Sequence, residues 1–341
     1  MFKTTLVELE EFYLSPAQRL RLKDSRPLWR WLLLTWWLLK GLFLSLSPIR
    51  RVVVLLSLIL LWQARQVLQV GEHVQASGDV SAIGAALLVF VLLLELKDKM
   101  LARHELEAGR AVQRALMPEH CPSLGGWDVW LYTRPANDVG GDLVDCLDLG
   151  GGHVGFALAD VAGKALPAAL LMAKVQATLR ALATDAPSLA DLATRTNTIL
   201  CRDGLPNRFA TLVYLDLRDR TGTVRLVNAG HMPPVRVGPT GFHDLPQGDM
   251  ALGMMPGAAY QERVEDLGVG EMLVVYSDGL TEAMNESGQF FDDSRLRALF
   301  PGLHTLTARD AGQRILAAVD AFIGTTRPYD DLSLVILKRT A

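Results

Sequence analysis

Acidic residues at four separated places in the chain could together carry out metal chemistry. Asp142 lies in Val-Gly-Gly-Asp, Asp160 in Ala-Asp-Val-Ala-Gly-Lys and Asp278 in Tyr-Ser-Asp-Gly, and Asp330 and Asp331 form a pair near the C-terminus. Three of these places adjoin runs that read as buried strands, so the acids can converge at one edge of a sheet. Clustered carboxylates repel one another unless cations hold them. All-oxygen sites suit Mg2+ or Mn2+.

Two such ions can activate a water and clamp a phosphoryl group. The pattern therefore predicts a two-metal site acting on phosphate. A single aspartate at a strand end has a simpler explanation, because it commonly caps a turn or a helix. The metal hypothesis depends on the four places being read together.

Seven short motifs occur in a fixed order between about residues 107 and 339. This order resembles the stage II sporulation protein E-like phosphatases, a bacterial branch of the metal-dependent protein phosphatase 2C-like superfamily. The motifs are Arg114-Ala-Leu-Met-Pro, Asp138-Val-Gly-Gly-Asp, Ala159-Asp-Val-Ala-Gly-Lys, Phe209-Ala-Thr-Leu, Asn228-Ala-Gly-His, Val275-Tyr-Ser-Asp-Gly and Asp330-Asp-Leu-Ser.

The resemblance implies an α+β fold, a four-layer α-β-β-α sandwich with two metal ions at one end of its sheets. It also implies hydrolysis of phosphoserine or phosphothreonine on a protein, such as a phosphorylated anti-sigma-factor antagonist. Two other functions stay open. One is a catalytically inactive phosphatase fold that binds a signalling partner, and the other is a two-metal phosphoesterase for a small molecule.

Residue roles follow from the resemblance by position. The expected catalytic residues and ligands of two Mn2+ or Mg2+ ions are Asp142, Asp160, Asp278 and Asp330, with Asp160 bridging and the Val161 backbone carbonyl as a further ligand. Asp331 stands where many relatives carry Asn, so it is expected beside the ligands rather than among them. The same supporting position is expected for Asp145, Gly141 and Gly279.

The chain departs from many eukaryotic members of the superfamily in one respect. Those proteins carry a histidine just after the bridging aspartate, proposed as a general acid, whereas this chain has Lys164 in that region. The identity of any general acid stays open. His231 is the other candidate for chemistry, and we interpret it as a structural turn histidine.

Net charge, hydrophobic content and cysteine number limit the kinds of protein that this chain can be. The 341 residues carry a formal net charge of -3, which does not suggest a nucleic-acid partner. The chain is 50% hydrophobic, and the excess lies near the N-terminus. Its three cysteines, Cys121, Cys146 and Cys201, show neither a disulfide framework nor zinc spacing, so we expect free thiols in a reducing compartment.

Three apolar stretches, residues 31–46, 52–62 and 82–94, predict membrane attachment. A full span needs about 20 mostly apolar residues, so each stretch alone is borderline. The alternative is a soluble helical bundle that buries these faces. That alternative must explain residues 52–62, which would be apolar on all sides of a helix.

Basic residues set the expected orientation. Lysines and arginines occur before the first stretch, at Arg50 and Arg51, and after the third, whereas residues 66–79 contain acidic residues and no Lys or Arg. The positive-inside rule then places the N-terminus and the C-terminal domain in the cytoplasm. We expect the second and third stretches to span the bacterial inner membrane, with the first stretch lying in the interface or re-entering. Three simple spans would put a basic N-terminus outside.

The domain organisation follows. We expect a hydrophobic helical region at residues 1–96, a linker helix at 97–118 and the phosphatase domain at 119–341. Residues 94–117 read as one continuous helix with a weak heptad pattern, which permits a homodimer through the linker. A plain linker helix is the simpler interpretation.

Overall fold

The computed structural model describes residues 21–22, 27–67, 74–118, 121, 124–137, 139–203, 208–218, 222–326 and 328–341. Most of the polar N-terminal segment, residues 68–73 of the loop at 66–79, and Asp138 lie outside these residues. The chain divides into two compact units, Met1–Arg103 and His104–Ala341.

The first unit is helical in its described part. Helix α1 spans Pro27–Ser45, α2 spans Pro48–Val67, and α3, at Val74–Leu116, begins in this unit and continues into the second. Arg50 donates hydrogen bonds to Glu95 Oε1 at 2.6 Å and Asp98 Oδ2 at 2.6 Å, which joins α2 to α3.

Many large apolar side chains of these helices are exposed. Trp36 is 65% exposed and Leu92 is 67% exposed, and similar values run along all three helices. Water-soluble monomers rarely expose large apolar patches, so this number of exposed apolar side chains needs an explanation.

A length-and-hydropathy criterion gives a different answer. Within the described part of the chain it selects a single segment, Leu166–Ala183, and none of the three N-terminal stretches. That segment belongs to the second unit, where Met172, Val175 and Leu179 are buried in a core. It is therefore a packed helix of the domain, and membrane attachment of the N-terminal region stays a prediction.

The second unit contains, in its described residues, two five-stranded antiparallel sheets and four further helices. The first sheet has the order β1-β10-β9-β6-β7 and the second β2-β3-β4-β5-β8. The strands are β1 (Trp127–Arg134), β2 (Leu143–Gly150), β3 (His153–Val161), β4 (Ala210–Arg218), β5 (Thr223–Ala229), β6 (Val235–Gly238), β7 (Gly241–Asp244), β8 (Glu262–Asp266), β9 (Met272–Tyr276) and β10 (Leu332–Arg339). The helices are α4 (Ala165–Ala183), α5 (Leu189–Asp203), α6 (Asp292–Leu299) and α7 (Ala308–Ile323).

Local sequence explains several boundaries. Gly150, Gly151 and Gly152 all have positive φ, so they make the turn between β2 and β3 at little steric cost. Ser188 caps α5, because its Oγ accepts a hydrogen bond from Asp191 N at 3.1 Å. Thr307 caps α7 in the same way through Asp310 N.

Three apolar cores define four layers. Helices α4 and α5 pack on the second sheet, α6 and α7 pack on the first sheet, and the two sheets face each other across a core that includes Phe156, Leu215 and Val335. The predicted α+β fold with two antiparallel sheets and covering helices is confirmed.

The expectation of free thiols is wrong for two of the three cysteines. Cys121 and Cys146 form a disulfide with a Cα–Cα distance of 5.8 Å, and Cys201 is free. Cys146 lies on β2 and packs in the core between the sheets, where Cys121 also packs. The spacing of 25 residues gives no sign of this pairing, because the fold itself brings the two residues together.

Candidate metal centre

The fold brings the predicted acidic residues to neighbouring strand ends. Asp142 directly precedes β2 and Asp160 lies next to the end of β3, and these strands pair with Leu143 opposite Ala159. Asp278 follows β9 in a short 3-10 turn, and Asp330 lies just before β10, which pairs with β9. Each sheet thus contributes two acids.

Asp142 is the most deeply buried of these acids. Its side chain is 4% exposed, and Oδ2 is buried without a hydrogen-bond partner among the residues that the structure describes. Burial and the charge of Asp160 raise the pKa of Asp142 well above its usual value, although the neighbouring side chains of Ser333 and Ser277 oppose the rise. A buried carboxylate oxygen without a partner is the kind of group that a cation satisfies.

The pKa values of Asp160 and Asp278 are also raised. Burial raises the pKa of Asp160 to about 7, and the charges of Asp278, Asp330 and Asp331 add to the rise. Burial raises the pKa of Asp278 to about 6, with further contributions from Glu282 and Asp330. The acids therefore repel one another at neutral pH unless positive charge is added.

The donor set fits hard divalent ions that keep much of their water. No group of three or more His, Cys, Asp or Glu side chains in the described residues is close enough to hold one ion. Mg2+ is commonly bound through only one or two carboxylates, with water completing the shell. The carboxylates here interact in pairs across the two sheets, and Asp142 Oδ2 has no partner among the described residues. Both features match a site in which one or two carboxylates and several waters bind each ion.

Asp330 is paired with a cation of the chain. Its Oδ2 lies 3.1 Å from Lys164 Nζ, and Lys164 also donates to the Tyr329 carbonyl at 3.1 Å and lies over the Tyr329 ring. Lys164 is half exposed and sits just before α4. It therefore supplies one positive charge at the edge of the acidic cluster.

Asp331 is bonded to the backbone beside Asp142. Its Oδ1 accepts a hydrogen bond from Ala136 N at 2.7 Å, and its Oδ2 accepts from Gly141 N at 2.6 Å and Asp142 N at 3.3 Å. These bonds use both oxygens on backbone amides. Asp331 thereby fixes the loop that presents Asp142.

Gly279 and Gly141 lie close to backbone carbonyl groups of neighbouring segments at this site. A Cβ on Gly279 would lie 2.0 Å from the Asp331 carbonyl oxygen, so no side chain fits there. A Cβ on Gly141 would lie 3.3 Å from the Val161 carbonyl, the additional ligand candidate, which shows that this carbonyl faces the Asp142 loop.

The Asp145 side chain is bonded to an arginine and not to the other acidic residues of the site. Both of its oxygens accept hydrogen bonds from Arg180, at 2.8 and 2.7 Å, and Oδ1 also accepts from Cys146 N. Its carboxylate is thus committed to joining β2 to α4. It supports the strand that follows Asp142.

Sequence reasoning missed three polar residues around the site. Ser277 and Ser333 lie beside Asp142 and lower its pKa, and the Ser277 hydroxyl donates to the Asp331 carbonyl at 3.1 Å. Gln113, near the end of α3, makes two hydrogen bonds with the Gly140 backbone, at 2.8 and 3.1 Å. The serines lie inside the recognised motifs, which was an available signal, whereas the approach of Gln113 to Gly140 is visible only in the fold.

This fold and its acidic edge define a PP2C-like domain, and comparison with solved structures agrees. The SiaA-PP2C domain of Pseudomonas aeruginosa superposes with a TM-score of 0.62 at 17% identity, covering 72% of this chain and 99% of that one. The SpoIIE structure from Bacillus subtilis, comprising its PP2C phosphatase domain and part of its regulatory domain, gives a TM-score of 0.54 at 16% identity, covering 64% of each chain.

Sequence comparison identifies the family. The stage II sporulation protein E family profile matches residues 150–340, more than half of the chain, and the chain belongs to that family. Phosphoserine phosphatase RsbU of Bacillus subtilis is 24% identical over 239 residues, 70% of each protein. Protein IcfG of Synechocystis sp. is 27% identical over 283 residues, which cover 72% of this chain but only 43% of IcfG.

Proposed function

We propose that this chain is a metal-dependent protein serine/threonine phosphatase that removes phosphate from a regulatory phosphoprotein. The observation that carries the proposal is the meeting of Asp142, Asp160, Asp278 and Asp330 at adjacent strand ends, with Asp142 Oδ2 buried and unpartnered among the described residues. The name of the relative RsbU, a phosphoserine phosphatase, supports the same reaction class.

The four aspartates would hold two Mn2+ or Mg2+ ions, with Asp160 between them and the Val161 carbonyl as a further ligand. When bound, such ions lower the pKa of a water for in-line attack on phosphorus and neutralise phosphoryl charge. The chain's own contribution is placement. Asp331 fixes the Asp142 loop through three amides, and the Asp145–Arg180 pair fixes β2 behind it.

A substrate test separates this proposal from its two alternatives. With Mn2+ present, we expect phosphate release from phosphoserine and phosphothreonine proteins, and loss of that release in Asp278→Asn. Turnover confined to small phosphate esters would favour a small-molecule phosphoesterase. Binding of a phosphoprotein without turnover at any Mn2+ or Mg2+ concentration would favour an inactive binding module.

We also propose that the N-terminal helices attach the enzyme to the bacterial inner membrane, with the catalytic domain in the cytoplasm. Helix α2, with 20 residues, is about 30 Å long at 1.5 Å per residue, close to the thickness of the hydrocarbon core, and the 43-residue α3 is long enough to span it as well. Exposed apolar side chains of these helices, such as Trp62 and Leu92, would then face lipid instead of water.

A homodimer through α3 is the remaining part of the proposal. Leu101 and Val112 on this helix are 51% and 62% exposed, which leaves apolar positions for a second copy. Light scattering of the full chain and of a Val112→Glu variant tests it. A monomer in both cases would remove dimerisation from the proposal.

A further inference from the structure

The buried histidine of the Asn-Ala-Gly-His motif makes contacts far beyond its own turn. His231 is 4% exposed and follows β5 in the second sheet. Its ring Nε2 lies 3.1 Å from the carbonyl oxygen of Tyr276, the last residue of β9 in the first sheet. Its Nδ1 lies 2.8 Å from Thr211 Oγ1 on β4. The ring therefore joins the two sheets.

Hydrogen-bond chemistry fixes the ring's protonation. The Tyr276 carbonyl can only accept, so Nε2 carries the proton and donates it. Nδ1 then accepts from the Thr211 hydroxyl. Burial lowers the pKa of His231 to about 4, so the neutral ring with one donor and one acceptor is the form present at pH 7.

Both ends of this bridge lead to proposed metal ligands. Tyr276 lies two residues before Asp278. Thr211 is the cross-strand partner of Asp160, and its Oγ1 is 3.4 Å from the Asp160 carbonyl oxygen. The Thr211 hydroxyl has one proton, which goes to His231 Nδ1, so Thr211 is tied to Asp160 by the pairing of β3 with β4. The His231 ring then links this strand pair to the end of β9.

The rest of the motif holds the histidine in place. Asn228 Oδ1 accepts from His231 N at 2.8 Å, and Asn228 Nδ2 donates to His231 O at 3.1 Å. Gly230 has φ +72, and a Cβ there would lie 2.7 Å from Ala251 N. The turn therefore has one backbone conformation, and it directs the ring between the sheets.

We propose that His231 is a positioning residue that sets the separation of Asp160 on the second sheet from Asp278 on the first. The core between these sheets is apolar, and apolar side chains specify distance less strictly than a donor and an acceptor do. Asp331 makes a second polar link at this end, but it positions the Asp142 loop and not Asp160 or Asp278. A bridging ion needs both carboxylates at a fixed separation, so loss of the ring should weaken metal binding. This inference rests on the proposed two-metal function.

The test is Mn2+ binding by the full-length protein in detergent, read from the electron paramagnetic resonance signal of free Mn2+ without substrate. His231→Leu removes both ring bonds, and His231→Gln retains a donor and an acceptor on one group. We expect His231→Leu to weaken Mn2+ binding by about 10- to 100-fold, the usual effect of losing a residue that orients ligands, and His231→Gln to weaken it less.

Asn197→Leu is the matched control. Asn197 is 1% exposed and, like His231, makes two buried hydrogen bonds to backbone, to Met255 O and from Gly253 N, but neither reaches a strand end with a ligand. In EDTA, the unfolding midpoint of Asn197→Leu should fall as that of His231→Leu does. The Mn2+ affinity of Asn197→Leu should equal that of the wild type.

The outcomes separate the two proposals. Wild-type affinity in His231→Leu, with a lowered unfolding midpoint, would show a purely structural histidine and overturn the inference while leaving the phosphatase proposal intact. Should His231→Leu fail to fold, Thr211→Val takes its place, because it removes the hydroxyl that bonds Nδ1, and wild-type affinity in that variant leads to the same conclusion. Absence of Mn2+ binding by the wild type would overturn the proposed function and this inference with it.

Discussion

Replacing Asp160 by Asn should stabilise the metal-free protein while destroying its response to metal. Burial and neighbouring acids raise the Asp160 pKa from 3.8 to about 7. At 1.36 kcal/mol per pKa unit, the ionised carboxylate costs the metal-free fold at most about 4 kcal/mol. Asparagine has nearly the same shape as the protonated acid and carries no charge, so it removes that cost.

The sign of the effect depends on pH. Because the folded pKa of Asp160 is raised, its cost is absent below pH 3.8 and fully present above about pH 7. In EDTA at pH 8, Asp160→Asn should therefore have the larger free energy of unfolding. A gain of 2 kcal/mol would raise the midpoint by about 4 to 8 °C for a domain of this size. At pH 5 the difference should shrink markedly.

Saturating Mn2+ should reverse the order. Wild type gains stability by binding the ion, by about 2.7 kcal/mol per site at 100 times the dissociation constant, whereas the variant has lost its bridging ligand. Catalytic rate should fall at least about 10²- to 10³-fold in the variant. Differential scanning calorimetry in EDTA and in Mn2+, at both pH values, measures all of these changes except the rate.

Asp145→Asn is the matched control, because it makes the same chemical change three residues from Asp142. Asp145 is bonded by Arg180 through both oxygens, so its loss should destabilise the protein by about 1 to 3 kcal/mol, with or without Mn2+. The reasoning is refuted if Asp160→Asn is no more stable than wild type in EDTA at pH 8, or if both variants behave alike.

Three further predictions concern the membrane, the linker and the Asp142 loop. Full-length protein should sediment with membranes and need detergent, while a fragment starting near Glu107 stays soluble; full-length protein in the high-speed supernatant would favour the soluble-bundle alternative. Inserting two or three residues after Arg103 rotates the helix by roughly 200–300° and should change phosphatase activity. Inserting seven residues, close to two turns, should change the activity less. Equal activities at every insertion length would show that the linker is only a tether. Asp331→Ala leaves the Ala136 and Gly141 amides without their acceptor and should cost about 1 to 3 kcal/mol in urea unfolding, and an unchanged free energy would show that these bonds do not hold the loop.

The strands that carry the acids were accessible from sequence because local signals mark them. Three consecutive glycines mark the β2–β3 turn, and buried apolar runs mark β9 and β10. The strand after the glycine turn is observed at His153–Val161, and a serine, a common N-cap residue, caps α5 at Ser188. Turns, strand runs and helix caps depend on residues that are close together in the sequence, so they can be predicted from a single sequence.

Features that depend on distant contacts were not accessible. The short strands β6, β7 and β8 have four or five residues each, too few to show a reliable alternation. The Cys121–Cys146 pair and the cross-sheet contacts of His231 arise only when the two sheets pack. The sequence suggested a turn histidine, and the Asn228 contacts agree with that, but the ring's partners lie 20 and 45 residues away.

The central claim is that four aspartates hold two divalent ions that are required for hydrolysis of a phosphoprotein. Its most direct test is a Mn2+ titration of EDTA-treated protein, with bound metal and phosphate release from a phosphoserine protein measured in the same samples. We predict no turnover in EDTA, restoration by Mn2+ as two ions bind per chain, and neither effect in Asp160→Asn. Full turnover in excess EDTA, or restoration in Asp160→Asn equal to that of wild type, would contradict the account.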